Sequence, residues 1–139
     1  MEKTFVMIKP DAMQKGFAFE VFGRLEKAKL KPVAMKMIRL DDAKLDVHYE
    51  HHKDKPFFND LKNFMKESPV IASVWEGENA VQKVRDLIGA TNPEEAKAGT
   101  VRHDYGENIQ RNLVHASDAQ KTANAEIQRF FEEEELLDW

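Results

Sequence analysis

Four short apolar runs organise this chain, and between them apolar residues return every three or four positions. Thr4-Phe5-Val6-Met7-Ile8 is apolar without alternation, the pattern of a strand covered on both faces. Lys9-Pro10-Asp11 stops it, because Pro10 has no N–H to give a ladder. Lys9 then stands at the carboxyl end of the strand, where ligand contacts commonly gather. From Glu20 to Leu30, Val21, Leu25 and Ala28 recur at helical spacing, and Pro32 ends that helix. Val33 to Leu40 alternates as a second strand, with Val33, Met35 and Met37 on one face.

Asp41 or Asp42 caps a helix running from Ala43 to about His52. After the loop Lys53-Asp54-Lys55-Pro56, Phe57 to Lys66 forms a further short helix, and Val70 to Trp75 a third strand. Asn79 to Ile88 reads as a helix with Val81, Val84 and Ile88 on its buried stripe and Gly89 as its C-cap. Residues 90 to 111 show little periodicity, and a connection that long is usually functional or disordered. Asn112 to His115 is a fourth, short strand, and Ser117-Asp118-Ala119-Gln120 matches a capping box that opens a last helix to about Phe131.

This order predicts a ferredoxin-like βαββαβ α/β sandwich: a four-stranded antiparallel sheet with two inserted helices and a C-terminal helix. Residues 1–139 are expected to form one domain. Residues 132–139 form an acidic tail, with Glu132 to Glu135 solvated and frayed, and Leu136 to Trp139 free to dock on this subunit or a neighbour.

Composition narrows the function classes. Hydrophobic residues make up 42% and charged residues 33%, an ordinary globular balance with enough apolar material for a core. The absence of cysteine removes disulfide scaffolds and thiolate zinc sites. No apolar run approaches membrane-spanning length and no leader precedes the first strand, so a soluble cytoplasmic protein without a membrane partner is expected. The net charge of −4 argues against general nucleic-acid affinity but leaves room for a local basic pocket.

No conventional phosphate loop is present: there is no G-x-x-x-x-G-K-[ST] and no G-x-G-x-x-G. Yet Lys9, Arg85, Arg102 and Asn112 each stand at the edge of an expected element, and His115 lies in the short apolar stretch Asn112 to Asp118, polar at each end. A histidine among cations is a candidate phosphoryl carrier; taken alone it would be read as a satisfied histidine in a half-buried strand. Glu126 shares a helix face with Ala119, Thr122, Ala123 and Phe130, a face otherwise apolar or small. A carboxylate there either meets His115, fixing the ring's tautomer, or faces water at the helix rim. Arg85 and Arg102 alone read as surface cations. Thr91 either donates to a phosphate or caps a turn. Tyr49 and Phe57 are partial core aromatics or cleft walls. His48 and His52, four apart, have ligand-compatible spacing, but Tyr49 stands where a zinc protease needs Glu, and a solvated helix end is the expectation.

Six blocks then align in order with one family. Met7-Ile8-Lys9-Pro10-Asp11, His48-Tyr49, Lys53 to Phe58, Val74-Trp75-Glu76-Gly77, Gly89 to Pro93 and Asn112 to Asp118 resemble the nucleoside diphosphate kinases, from about Lys3 to Phe131. The resemblance implies transfer of the γ-phosphoryl of a nucleoside triphosphate to a nucleoside diphosphate through a phosphohistidine. By similarity His115 attacks through Nδ1, Glu126 and Ser117 hold its ring, and Tyr49 sits beside it. Lys9 and Asn112 meet the ribose 3′-hydroxyl, Lys9 also the transferring group, while Arg85, Thr91 and Arg102 grip the phosphates. Phe57 stacks on one face of the base and Ile109 on the other. The implied cofactor is Mg2+ carried on the nucleotide phosphates, with Asp118 reaching its water shell, and the implied assembly is a hexamer or tetramer.

Several positions depart from the family pattern. Ala12-Met13 replace Gly-Val, Ala116 replaces Gly, His103 and Tyr105 replace Gly and Phe, and Ala119 replaces Ser. None removes a group given a role above. His103, an added cation in mild acid, is expected to tighten phosphate binding slightly there. The competing function class is a binding module with an idle site; such a chain would be expected to lose His115, Lys9 or Arg102, and all three are present.

Overall fold

The computed structural model covers residues 1–139. Its sheet has four strands, β1 (Glu2–Ile8), β2 (Lys31–Ile38), β3 (Val70–Gly77) and β4 (Val114–Ala116), in the order β2-β3-β1-β4 with every pairing antiparallel. The expected βαββαβ topology is therefore present. The helices are α1 (Pro10–Lys15), α2 (Ala18–Lys27), α3 (Asp42–His48), α4 (Phe58–Met65), α5 (Ala80–Ile88), α6 (Val101–Tyr105) and α7 (Gln120–Phe130).

Two apolar clusters lie on opposite faces of the sheet. One joins Val6 and Ile8 of β1 to Val21 and Leu25 of α2 and Val84 and Ile88 of α5. The other joins Phe5 and Met7 to Leu45 of α3, Leu61 and Phe64 of α4 and Ile127 and Phe130 of α7. The inserted helices and the C-terminal helix thus cover the face that the βαβ helices leave open. That is why β1 carries no polar alternation: Phe5, Val6, Met7 and Ile8 are all 0% exposed. At ~1.5–3 kcal/mol for each fully buried side chain, β1 is firmly anchored in the sheet. Lys9, directly after it, inherits a fixed position.

Several local expectations are corrected. Lys9-Pro10-Asp11 does not simply stop a strand; it also starts α1, with Pro10 in the first helical position, where its missing N–H costs nothing. The helix expected through His52 ends at His48 and tightens into a 3-10 turn over Glu50–His52. The long connection contains a 3-10 turn (Pro93–Glu95) and α6, whose N-cap Thr100 accepts from the His103 N–H. The capping box at Ser117 does not form: α7 begins at Gln120 with Ala119 as its N-cap and no side-chain bond there. Met35 and Met37 do not follow Val33 into the core; a bulge between Pro32 and Ala34 shifts the register, leaving them 44% and 62% exposed.

The tail is not frayed. Glu133–Glu135 form a 3-10 turn with a capping box, Lys36 pairs with Glu135 at 3.0 Å, and the Leu137 N–H donates to the Val33 carbonyl at 2.9 Å. Of the two docking alternatives, the segment lies on this subunit, along the edge strand β2.

Candidate active site

The end of β1 and the start of β4 lie side by side, so Lys9 meets the Gln110-Asn112 segment across the sheet. Lys9 Nζ donates to the Gln110 carbonyl at 2.6 Å and to Asn112 Oδ1 at 2.7 Å. Asn112 in turn donates through Nδ2 to the Thr91 carbonyl at 2.9 Å. Arg102, on α6, donates to the carbonyls of Gly89 at 3.0 Å, Val114 at 2.6 Å and Asn112 at 3.4 Å. These cations are held by neutral oxygens. Burial pulls the Lys9 amine down to about 7, with Asp11 opposing and Arg102 adding to the fall. Burial likewise lowers Arg102 to about 10, helped by the charge of Arg85. An anion entering between them would meet charges already stripped of water.

The backbone between Asn112 and His115 is strained. Leu113 has φ 77°, a left-handed conformation that bulky residues rarely adopt and that costs about 1–3 kcal/mol. Its N–H donates to Asp11 Oδ2 at 3.0 Å, and its carbonyl accepts from the Lys9 N–H at 2.9 Å. Asp11 is 1% exposed, and burial raises its carboxyl despite the neighbouring Lys9. The Lys9-Asp11 segment therefore pins the turn that sets Asn112 and His115. Sequence reading missed this role for Asp11. The available signal was a carboxylate in the first turn of a helix opened by proline.

His115, on β4, is held from α7. Its Nε2 lies 2.7 Å from Glu126 Oε2, and Ser117 Oγ donates to Glu126 Oε1 at 2.5 Å. Glu126 is 4% exposed, so the carboxylate meets the imidazole and does not face water. A carboxylate on Nε2 puts the ring proton there and leaves the Nδ1 lone pair free. The absent capping box has its explanation here: Ser117 serves Glu126 instead of the helix end.

A cleft of about 1150 Å³ opens in front of this ring. Lys9, Tyr49, Phe57, Arg85, Thr91, Arg102, Ile109, Asn112, His115 and Glu126 all line it. These ten residues, spread from position 9 to position 126, are thus brought to one cavity. Tyr49 is buried, and burial and the nearby Glu126 raise its hydroxyl well above the ordinary tyrosine range. Phe57 and Ile109 line the cleft as exposed apolar surfaces, and the Phe57 ring packs edge-on against His52 at 5.1 Å between centroids. Asp118 lines the cleft as well.

Two expectations fail here. His103 is not in the cleft; its Nδ1 lies 3.3 Å from Asp104, which is itself bonded to Arg24. His48 is not a solvated helix end: it is 4% exposed, and its ring meets that of His115 edge-on at 4.7 Å between centroids. Leu45 and His48 share the buried face of α3, and that three-residue spacing was the available signal. Arg129 Nη1 lies 2.9 Å from His48 Nδ1. Burial pulls the His48 imidazole down to about 2, with His115, Arg129 and His51 adding to the effect.

His48, His115 and Glu126 offer ligand atoms within 4.8 Å of one another. The set is nitrogen-rich, whereas Mg2+ prefers oxygen. The Nδ1 lone pair of His48 is already taken by the Arg129 guanidinium. These residues suit a hydrogen-bond network better than a resident ion.

The family model described as nucleoside diphosphate kinase matches residues 2–136. A nucleoside diphosphate kinase of Archaeoglobus fulgidus is 50% identical over 139 residues, covering 100% of this chain and 92% of that protein. One from Synechocystis is 48% identical, covering 100% and 93%. The solved halophilic nucleoside diphosphate kinase of Halobacterium salinarum, in complex with CDP, superposes with a TM-score of 0.96 at 45% identity, covering 99% of this chain and 92% of that one. That of Encephalitozoon cuniculi, without ligand, gives a TM-score of 0.96 at 37% identity, covering 100% and 95%. No helix of this chain is long and apolar enough to cross a membrane.

Proposed function

The chain belongs to the nucleoside diphosphate kinase family and moves phosphate between nucleoside triphosphates and diphosphates, and from that premise we propose a ping-pong route through a phosphohistidine at His115. The observation that carries the route is the 2.7 Å contact between His115 Nε2 and buried Glu126, with the ring lining the cationic cleft. The carboxylate keeps the proton on Nε2, so the Nδ1 lone pair attacks the γ-phosphorus. The Nδ1–P bond forms as the bond to the β-phosphate oxygen breaks, and the nucleoside diphosphate leaves with that oxygen's electrons. A second diphosphate enters the same cleft and reverses the step. Such transfers ask mainly for in-line positioning and for cations where the equatorial oxygens carry charge. Lys9, Arg85 and Arg102 supply the charge. Lys9 and Asn112 take the ribose 3′-hydroxyl, and Thr91 joins the arginines on the phosphates. Tyr49 flanks the imidazole. Phe57 and Ile109 sandwich the base, and stacking of this kind tolerates every base because each has a π-face.

Mg2+ fits as an ion carried in on the nucleotide. Asp118 on the cleft wall suits contact with its water shell, and the His48-His115-Glu126 group has the wrong donors to hold it. When bound, it neutralises charge on the β- and γ-phosphates. We assign the chain to the cytoplasm and to a homo-oligomer, hexamer or tetramer, by analogy with its family.

The test is incubation with γ-labelled ATP and magnesium, followed by acid and base washes and a chase with GDP or CDP. An acid-labile, base-stable label on His115 that passes to the added diphosphate is the expected result. No label at saturating magnesium-ATP overturns the route.

A further inference from the structure

In the proposed route Glu126 and Ser117 hold the imidazole, while a second histidine, His48, and an arginine, Arg129, close to the ring have no part. His48 Nδ1 lies 4.0 Å from Glu126 Oε2, the same oxygen that His115 Nε2 approaches at 2.7 Å. Two imidazoles therefore stand near one carboxylate oxygen, and the site works only if one of them stays away. Arg129 Nη1, 2.9 Å from His48 Nδ1, decides which. Arginine has donors only, so the nitrogen it meets must be the acceptor. His48 then carries its proton on Nε2, an atom buried without a hydrogen-bond partner. That is a tautomer no local contact of Nε2 favours, and the guanidinium is what selects it.

We propose that Arg129 is a positioning residue that locks His48 in the Nε2–H tautomer and so reserves Glu126 for His115. The proposal rests on the reading of His115 as the phosphoryl carrier and deepens it. Without the guanidinium, the His48 proton moves to Nδ1, where it turns toward Glu126 Oε2. The carboxylate is then shared between two rings, and the orientation of His115 loosens. The charged and titratable groups around His48 are His115, Glu126, Arg129, His51 and Tyr49. Arg129 itself lines a shallow depression of about 380 Å³ on the far side of Glu126, so its outer edge reaches water and its charge is not stranded.

Arg129→Leu is expected to slow single-turnover phosphorylation of the enzyme about tenfold, the size of one hydrogen bond to a charged group, with nucleotide KM unchanged. Arg129→Lys, which keeps a donor, recovers most of the rate. In the His48→Phe background the ring packing against His115 and Phe130 is kept, and the further change Arg129→Leu costs nothing more. Long-range proton–nitrogen correlation spectra of the parent show His48 as the Nε2–H tautomer and those of Arg129→Leu as Nδ1–H. This readout needs no catalysis, so it separates the lock from the carrier role of His115, which fails instead through the absence of a labelled parent enzyme. An Nδ1–H tautomer in the parent overturns the proposal. So does a full tenfold loss from Arg129→Leu when His48 is already phenylalanine. If Arg129→Leu does not fold, the parent tautomer and the Lys variant still decide the matter.

Discussion

On one side of His115 stand Lys9, Arg85 and Arg102; on the other stand Glu126, Ser117, His48 and Arg129. The two flanks differ in how completely the protein answers their charges. Lys9 and Arg102 meet only neutral oxygens, from Gln110, Asn112, Gly89 and Val114. Burial lowers them to about 7 and about 10, a fall that Asp11 only partly opposes. On the opposite flank each oxygen of Glu126 has its partner, and His48 Nδ1 has the Arg129 guanidinium. One side is left wanting an anion, and the other is closed apart from the buried His48 Nε2. On the proposed route the difference is a division of labour: the unsatisfied flank binds the moving phosphate, and the other flank keeps the ring from moving with it. Preorganised dipoles and charges cost nothing to rearrange at the moment of reaction, which is why this asymmetry favours transfer.

Removing the residue between the flanks tests the comparison most severely. His115→Ala is expected to lower exchange by at least about 10³-fold while leaving nucleotide binding largely intact, since the cationic flank is untouched. Steady-state exchange and equilibrium nucleotide titration of the same variant measure both halves; normal exchange would exclude the phosphohistidine route. Opening the closed flank comes next. Glu126→Gln should slow single-turnover phosphorylation by about 10- to 100-fold without raising KM, because ring orientation is lost but phosphate contacts remain. An unchanged rate would show that the carboxylate does not orient the ring.

The cationic flank is sharpened by pH. The Lys9 amine is lowered from 10.5 to about 7, so above pH 7 part of it is neutral in the unliganded protein. A bound phosphate favours the ammonium, so diphosphate binding should take up protons and weaken as pH rises through about 7, by up to roughly tenfold per pH unit. Calorimetry in buffers of different ionisation enthalpy reads that uptake, and Lys9→Met should abolish it. For folding the sign is opposite. Between about 7 and 10.5 the unfolded chain binds more protons at this lysine than the folded one, so its contribution to the stability of the unliganded protein rises with pH over that window. The smallest effect belongs to His103, which faces Asp104 outside the cleft. His103→Ala should leave nucleotide affinity within about twofold between about pH 5.5 and 8.

The cationic flank was the more legible of the two. Lys9, Arg85, Arg102 and Asn112 stood out as charged or polar residues at the edges of expected elements, and all of them line the cleft. Glu126 was legible as a carboxylate on an apolar helix face, but its partner was open until the fold brought β4 against it. Arg129 escaped notice and His48 was read as a solvated helix end, because each has a solvated explanation within its own helix. Their meeting, 81 positions apart in the chain, has no local trace. Asp11 was hidden for a different reason: the Lys9-Pro10 pair was taken as the end of a strand, although Pro10 also suits the first turn of a helix. Met35 and Met37 alternate correctly, yet a single bulge in β2 turned them outward.

By itself the sequence determined the four strands, most of the helices and the candidate residues that line the cleft. Those depend on neighbours a few positions away, where apolar period, proline and capping chemistry act directly. Only the tertiary structure decided that Lys9 meets Asn112 across 103 positions, that Leu113 is pinned in a left-handed turn, and which imidazole holds Glu126. Those depend on strand register and on burial: once water is excluded, each polar group must be answered by whatever the opposing element presents, and no local pattern records what that will be.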